Sequence, residues 1–95
     1  MYAISFDLDT EILKQTYPAE SHNNAYADIR KFLNEHGFGW QQGSVYFGDK
    51  ETVNAVKCVV VTQKLSAKFP WFSASVRDIR MLRIEEDNDL KDALT

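Results

Sequence analysis

The chain has 95 residues, 44% of them hydrophobic and 13% aromatic, and a formal charge of −3 at pH 7. That composition excludes a disordered chain, and the length falls below that of an ordinary two-domain protein. A mildly negative protein does not bind nucleic acid through its overall charge, so any such contact must be local.

No Gly/Ser/Pro-rich stretch marks a linker, so residues 1–95 are expected to form one domain. Met1 leads straight into the apolar run Tyr2 to Phe6, with no basic n-region and no small-residue cleavage site. The apolar run Val59-Val60-Val61 is far too short to span a bilayer, so no membrane association is expected. Cys58 is the only cysteine, which rules out an intramolecular disulfide. These features together predict a cytoplasmic protein. Its small size makes oligomerisation a natural source of extra stability.

In chain order, Tyr2, Ile4, Phe6 and Leu8 alternate with Ala3, Ser5 and Asp7, the period of a strand with one face on helices. A polar irregular stretch containing Pro18 follows. Ala25, Ile29, Phe32 and Leu33 then recur at helical spacing, predicting a helix from about Asn23 to His36, capped by Ser21 and ended by Gly37. Phe38-Gly39-Trp40 and Val45-Tyr46-Phe47 flank Gln41-Gln42-Gly43-Ser44, which predicts two short strands joined by a turn. Asp49 is the candidate N-cap of a second helix that Pro70 stops. It runs to about Phe69, with Val53, Val56, Val60 and Leu65 near helical spacing. A last strand is expected from about Val76 to Ile84, followed by an acidic helix or tail, Glu85 to Asp92.

The order β-α-β-β-α-β, with short connections and right-handed crossovers, predicts an α+β, ferredoxin-like fold. Its four-stranded antiparallel sheet carries the helices on one face and leaves the other bare. The first strand is central, between the third and the fourth.

In that topology the end of the first strand lies beside the beginnings of the third and fourth. Gln42-Gly43-Ser44 and Ser75-Val76-Arg77-Asp78 therefore converge on Asp7, which alternation sets on the bare face. With Val45 and Phe47 turned inward, Ser44 and Tyr46 stand outward beside it. The last strand has two readings: Arg77, Ile79, Met81 and Arg83 share one face, and Val76, Asp78, Arg80, Leu82 and Ile84 the other. If Ile79 and Met81 pack under the helices, Asp78 and Arg80 join Asp7. Asp7, Ser44, Tyr46, Asp78 and Arg80, with Arg77 beside them, thus make up one candidate site that is marked by its acids.

Bare apolar sheet on a small domain marks an interface. A twofold dimer through it would bring two copies of Asp7 together. Two carboxylates near an axis can hold a divalent cation or share a proton, and either serves phosphodiester cleavage. A nearby arginine binds phosphate or developing charge. Each piece also has a plainer reading, with Asp7 and Asp9 as solvating acids and Arg77–Asp78 as a surface ion pair. No His/Cys cluster has metal-ligand spacing, and there is no glycine-rich phosphate loop or Ser-His-Asp signature.

Met1-Tyr2-Ala3-Ile4-Ser5-Phe6-Asp7-Leu8, Gln42-Gly43-Ser44-Val45-Tyr46, Trp71-Phe72 and Ser75-Val76-Arg77-Asp78-Ile79-Arg80 resemble, in order and over nearly the whole chain, the VapD (virulence-associated protein D) family. The resemblance implies a ferredoxin-like homodimer that cleaves single-stranded RNA as the toxin of a toxin–antitoxin pair, with a cognate antitoxin as partner. It also implies kinship to the small dimeric nuclease of CRISPR adaptation, which carries an aspartate at the end of its first strand. On that likeness Asp7 is the catalytic candidate, and Ser44 and Asp78, in the two other matching motifs, are carried over with it as catalytic residues, with Arg77, Arg80 and Tyr46 as the candidates for binding substrate.

Two mechanisms stay open. Asp7 binds Mg²⁺, or it acts without metal as a base on a ribose 2′-hydroxyl, helped by Arg77 or Arg80. A lone carboxylate of ordinary pKa is a weak base at neutral pH, which favours Mg²⁺ held by Asp7. No organic cofactor is expected. The rival expectation is a non-catalytic ferredoxin-like dimer that binds nucleic acid or a protein partner, with Asp7 structural.

Overall fold

The computed structural model describes residues 1–94. Strand β1 (Tyr2–Leu8) buries Ile4, Phe6 and Leu8 and leaves Asp7 exposed, as the alternation predicts. Where the sequence predicts a polar irregular stretch, the chain forms a short helix, α1 (Thr10–Thr16). Asp9 caps it, its Oδ1 accepting from the backbone N–H groups of Glu11 and Ile12 at 3.0 and 3.1 Å. Leu13 is the only buried residue of that helix, so no apolar periodicity announces it.

Helix α2 (Asn24–Glu35) buries the expected stripe of Ala25, Ile29, Phe32 and Leu33. Ser21 does not cap it through its side chain. Asn23 is the N-cap, and the Ser21 carbonyl accepts from the Asn24 N–H at 3.2 Å. Gly37, at φ +90, ends the helix in the left-handed conformation that glycine reaches without strain. Strands β2 (Phe38–Gln42) and β3 (Val45–Gly48) follow.

Helix α3 (Ala55–Lys68) starts later than the sequence predicts, because Asn54 is its cap and accepts from the Lys57 N–H at 2.8 Å. Asp49 closes a separate turn instead, accepting from Glu51 and Thr52 at 2.8 and 3.1 Å, bonds that hold its carboxyl below the usual range. The buried stripe of α3 is Cys58, Val61 and Leu65, while Val56, Val59 and Val60 face solvent. A run of valines offers apolar side chains to every face, so the period alone does not fix the phase.

Pro70 ends α3 and also opens a further helix, α4 (Pro70–Ser75), from a position where its missing N–H costs nothing. Helix α4 buries Trp71, Phe72 and Ser75 and leads directly into β4 (Val76–Arg83). Beyond β4 the acidic segment forms only a 3₁₀ turn, Lys91–Ala93, among the described residues.

The sheet order is β2-β3-β1-β4 and each pairing is antiparallel. This is the expected ferredoxin-like arrangement, with β1 between β3 and β4. One core joins Ile4, Phe6 and Leu8 of β1 to Ile29, Val61 and Phe72 from the helices.

Gly48, at the end of β3, is a close-approach position. A Cβ there would lie 2.6 Å from Val53 Cγ1 and 3.1 Å from the Tyr2 carbonyl oxygen. Overpacking of this kind costs about 1–3 kcal/mol. Gly48→Ala is therefore expected to lower the melting temperature by about 4–8 °C per kcal/mol, read by thermal denaturation.

The tyrosines set an alkaline limit. The Tyr17 hydroxyl donates to Asp28 at 2.6 Å, and that bond together with burial pushes its pKa up. Burial also raises Tyr46, with the Arg30 cation partly offsetting it. The folded chain holds both protons more tightly than the unfolded one, so stability present below about pH 10 falls as pH rises beyond it. Melting curves taken across that range are expected to show this loss, and Tyr17→Phe should remove part of it.

Candidate active site

Asp7 and Asp78 are direct partners across β1 and β4. Partners in register share a face, so both carboxylates belong to the side of the sheet without helices. Of the two readings of the last strand, the register selects one. Ile79 and Met81 stand opposite Phe6 and Ile4 on the helix side, and Arg80 and Leu82 stand opposite Ser5 and Ala3 on the bare side.

Like charges directly opposite each other destabilise a sheet. Part of that opposition is offset here, because Arg80 Nε lies 3.0 Å from Asp78 Oδ2, and Asp78 in turn raises the Arg80 pKa. Both partners are exposed, so the pair itself contributes little to stability. Its consequence is an asymmetry between the acids. Ion pairs among the described residues join Lys14 to Glu11, Arg80 to Asp78 and Arg83 to Glu85, and Asp7 takes part in none.

The register slips beside this pair, since Leu8 pairs with Val76 while Asp7 pairs with Asp78. Arg77 is therefore the extra residue of a bulge, and it is exposed. Bulges bend a strand and re-aim side chains, often next to active sites. This one holds a second cation beside the acids.

The turn between β2 and β3 closes on the same end of β1. The Ser44 carbonyl accepts from the Phe6 N–H at 3.1 Å, so Ser44 continues the register opposite Phe6 and belongs to the helix side, not to the face of Asp7 as expected, and it approaches Asp7 only through backbone. Gly43, at φ +49, precedes it, and a Cβ there would meet nothing within 4 Å. The space beside this end of the sheet is open.

Tyr46 does not belong to a substrate surface. Tyr46 pairs with Ile4 and Val45 with Ser5, the reverse of the expected facing. Tyr46 is 3% exposed, and its ring stacks on Phe6 at 6.1 Å between centroids. Val45, Tyr46 and Phe47 are all bulky and apolar, so alternation gives no contrast from which to choose a face. The face of Asp7 gains Val45 and Phe47 in exchange, both partly exposed and bordered by the C-terminal segment from Asp87 to Lys91.

Sequence reasoning passed over Trp40 and Arg30. The Arg30 guanidinium sits 4.0 Å from the centroid of the Trp40 ring, and Trp40 Nε1 donates to the Gly43 carbonyl at 2.8 Å. The only signal in the sequence was a large aromatic next to a glycine turn. Cys58 is buried.

A family profile described as CRISPR associated protein Cas2 matches residues 1–91. Endoribonuclease VapD 2 of Riemerella anatipestifer is 54% identical over 95 residues, covering 100% of both chains. Endoribonuclease VapD homolog of Helicobacter pylori is 55% identical over 94 residues, 99% of this chain and 96% of its own. Endoribonuclease VapD of Haemophilus influenzae is 36% identical over 93 residues, 97% of this chain and 96% of its own. The chain thus belongs to the Cas2 family and, within it, to the VapD proteins.

Proposed function

We propose that this chain is an endoribonuclease that cleaves single-stranded RNA as a homodimer, with Asp7 at its catalytic centre. The observation that carries the reading is Asp7 itself, exposed and, among the described residues, without an ionic partner, at the end of the central strand and opposite Asp78. The endoribonuclease names of the VapD relatives support the same chemistry.

The bare face is the proposed dimer interface. Leu82 is 43% exposed there, and Val45 and Phe47 are partly exposed beside Ser5 and Ala3. Exposed apolar sheet of this kind favours association. A twofold axis through it draws the two Asp7 carboxylates together. Arg77 and Arg80 are the proposed phosphate contacts, and Asp78 orients Arg80 through their ion pair. Ser44 fixes the turn against β1 through its carbonyl.

Within one chain, no three His, Cys, Asp or Glu side chains gather as metal donors among the described residues. In the proposed dimer, Asp7 of both protomers would supply hard oxygen donors for Mg²⁺, a cation that keeps several waters. Bound there, Mg²⁺ would supply charge stabilisation to phosphate oxygens. In the metal-free alternative, Asp7 accepts the ribose 2′-hydroxyl proton and the arginines hold the phosphate.

The chain is the proposed toxin of a toxin–antitoxin pair, acting in the cytoplasm. The cognate antitoxin is its proposed protein partner. Among the described residues the outer edge of β4 has no strand beside it, and Met81 on β4 and Val56 and Val59 on α3 are exposed, features that favour a protein contact. No helix among the described residues is long and apolar enough to cross a membrane.

Incubating purified protein with end-labelled single-stranded RNA, with Mg²⁺ and with EDTA, tests the reading. Cleavage is expected in Mg²⁺, and its loss in EDTA selects the metal route. Tight RNA binding with no cleavage under either condition would instead make the chain a non-catalytic binding module.

A further inference from the structure

We infer that Trp40 and Arg30 form a base-stacking platform that holds the RNA strand next to the Asp7 site; the inference rests on the ribonuclease reading above. A lone exposed aromatic is ordinary on a protein surface. Three observations set Trp40 apart.

The first is its fixed orientation. Trp40 is 43% exposed on the edge strand β2, yet its indole N–H is pinned to the Gly43 carbonyl at 2.8 Å. A stacking surface that is already oriented loses little entropy when a base lands on it.

The second is the cation. Arg30 lies 4.0 Å from the ring centroid, is itself exposed, and joins none of the ion pairs among the described residues. One of its donors faces the Tyr46 hydroxyl, and the guanidinium keeps further N–H groups for a phosphate while its plane extends the aromatic stack. Lys31 adjoins it, and an open groove of about 470 Å³ runs alongside, lined by Tyr26, Ala27, Arg30, Lys31, Asn34 and Glu35. Aromatic platforms combined with cationic grooves are how single strands are held without sequence preference. A chain of net charge −3 needs such a local device.

The third is position. Gly43 takes the Trp40 N–H, and its neighbour Ser44 takes the N–H of Phe6, the residue before Asp7. The platform is thus tethered to the turn that abuts the acidic site. Trp40 pairs with Tyr46 and so stands on the helix side of the sheet, opposite to Asp7. The RNA must therefore cross the turn at Gly43, where no neighbouring atom lies within 4 Å of a Cβ position. A protein partner fits the spot less well. No other large apolar side chain of α2 or β2 is exposed among the described residues, whereas a protein interface gathers several at its centre.

Kinetics and fluorescence of Trp40→Ala, Trp40→Phe and Arg30→Gln in the full chain test this. Loss of one stacked base is expected to raise the KM of Trp40→Ala for single-stranded RNA about 5- to 150-fold, with kcat nearly unchanged. Trp40→Phe should recover most of that loss, and Arg30→Gln should raise KM and weaken its salt dependence. Trp71, the other tryptophan, is 7% exposed, so quenching of indole emission by an oligouridine reports on Trp40. Trp40→Phe is expected to bind that oligonucleotide with the quenching lost.

An unchanged KM in a folded Trp40→Ala, or quenching that persists in Trp40→Phe, overturns the platform while leaving the nuclease intact. Loss of dimer in Trp40→Ala on size exclusion overturns it in favour of a protein interface. Wild-type protein that neither cuts nor binds single-stranded RNA overturns the platform and the ribonuclease reading together.

Discussion

Leu82→Asp is expected to give a folded monomer that cleaves RNA at no more than about a hundredth of the wild-type rate. Leu82 is 43% exposed in the single chain, so an aspartate there meets water and the fold tolerates it, as most surface sites do. Leu82 lies on the bare face opposite Ala3, which the proposed dimer would bury. An unpaired charge buried at an interface costs about 3–5 kcal/mol, which weakens association 100-fold or more. Cleavage should fall with the dimer although no residue of the acidic pair has changed. Size exclusion with light scattering reads the mass, and the cleavage assay reads the consequence. A fully active monomer would mean that Asp7 works without a second copy.

Asp7→Asn is expected to lower cleavage at least about 100-fold, the scale of a lost general base or essential ligand. The sharper expectation concerns stability. Asp7 faces Asp78 across β1 and β4, and removing one of two opposed carboxylates relieves a repulsion. The melting temperature should therefore hold or rise slightly while activity collapses. That opposite movement separates a functional acid from a structural one, because sites under functional constraint are often locally unfavourable. A structural Asp7 would show the reverse, with stability lost and activity tracking the folded fraction.

The topology was legible in the sequence because β1 alternates cleanly: Ile4, Phe6 and Leu8 inward, Asp7 outward. Once β1 is central, connection rules bring the turn at Gly43 and the start of β4 to its end, and that convergence is observed. The facing of β4 stayed open between two readings, because Ile79 and Met81 on one face and Leu82 and Ile84 on the other are all apolar, and only the pairing with β1 selects one.

What the sequence hid has identifiable causes. Helix α1 offers one buried residue, Leu13, too few for a period, and its clearest mark was the capping carboxylate of Asp9. Helix α4 was masked because Pro70 both stops and starts helices. The facing of β3 and the phase of α3 failed for a common reason. Val45-Tyr46-Phe47 and Val59-Val60-Val61 are apolar throughout, and a pattern without contrast has no readable face. Tyr46 was lost from the candidate site on that account. Trp40 was passed over because its neighbours, Arg30 and Gly43, are set beside it only by the fold.

The most direct measurement is cleavage of one labelled single-stranded RNA by wild type and Asp7→Asn side by side, each in Mg²⁺ and in EDTA. Melting temperature and dimer content are recorded for both. A folded, dimeric Asp7→Asn that is at least about 100-fold slower than an active wild type is the result expected of Asp7 as the catalytic carboxylate. Equal cleavage by the two proteins would contradict it and place the chemistry elsewhere.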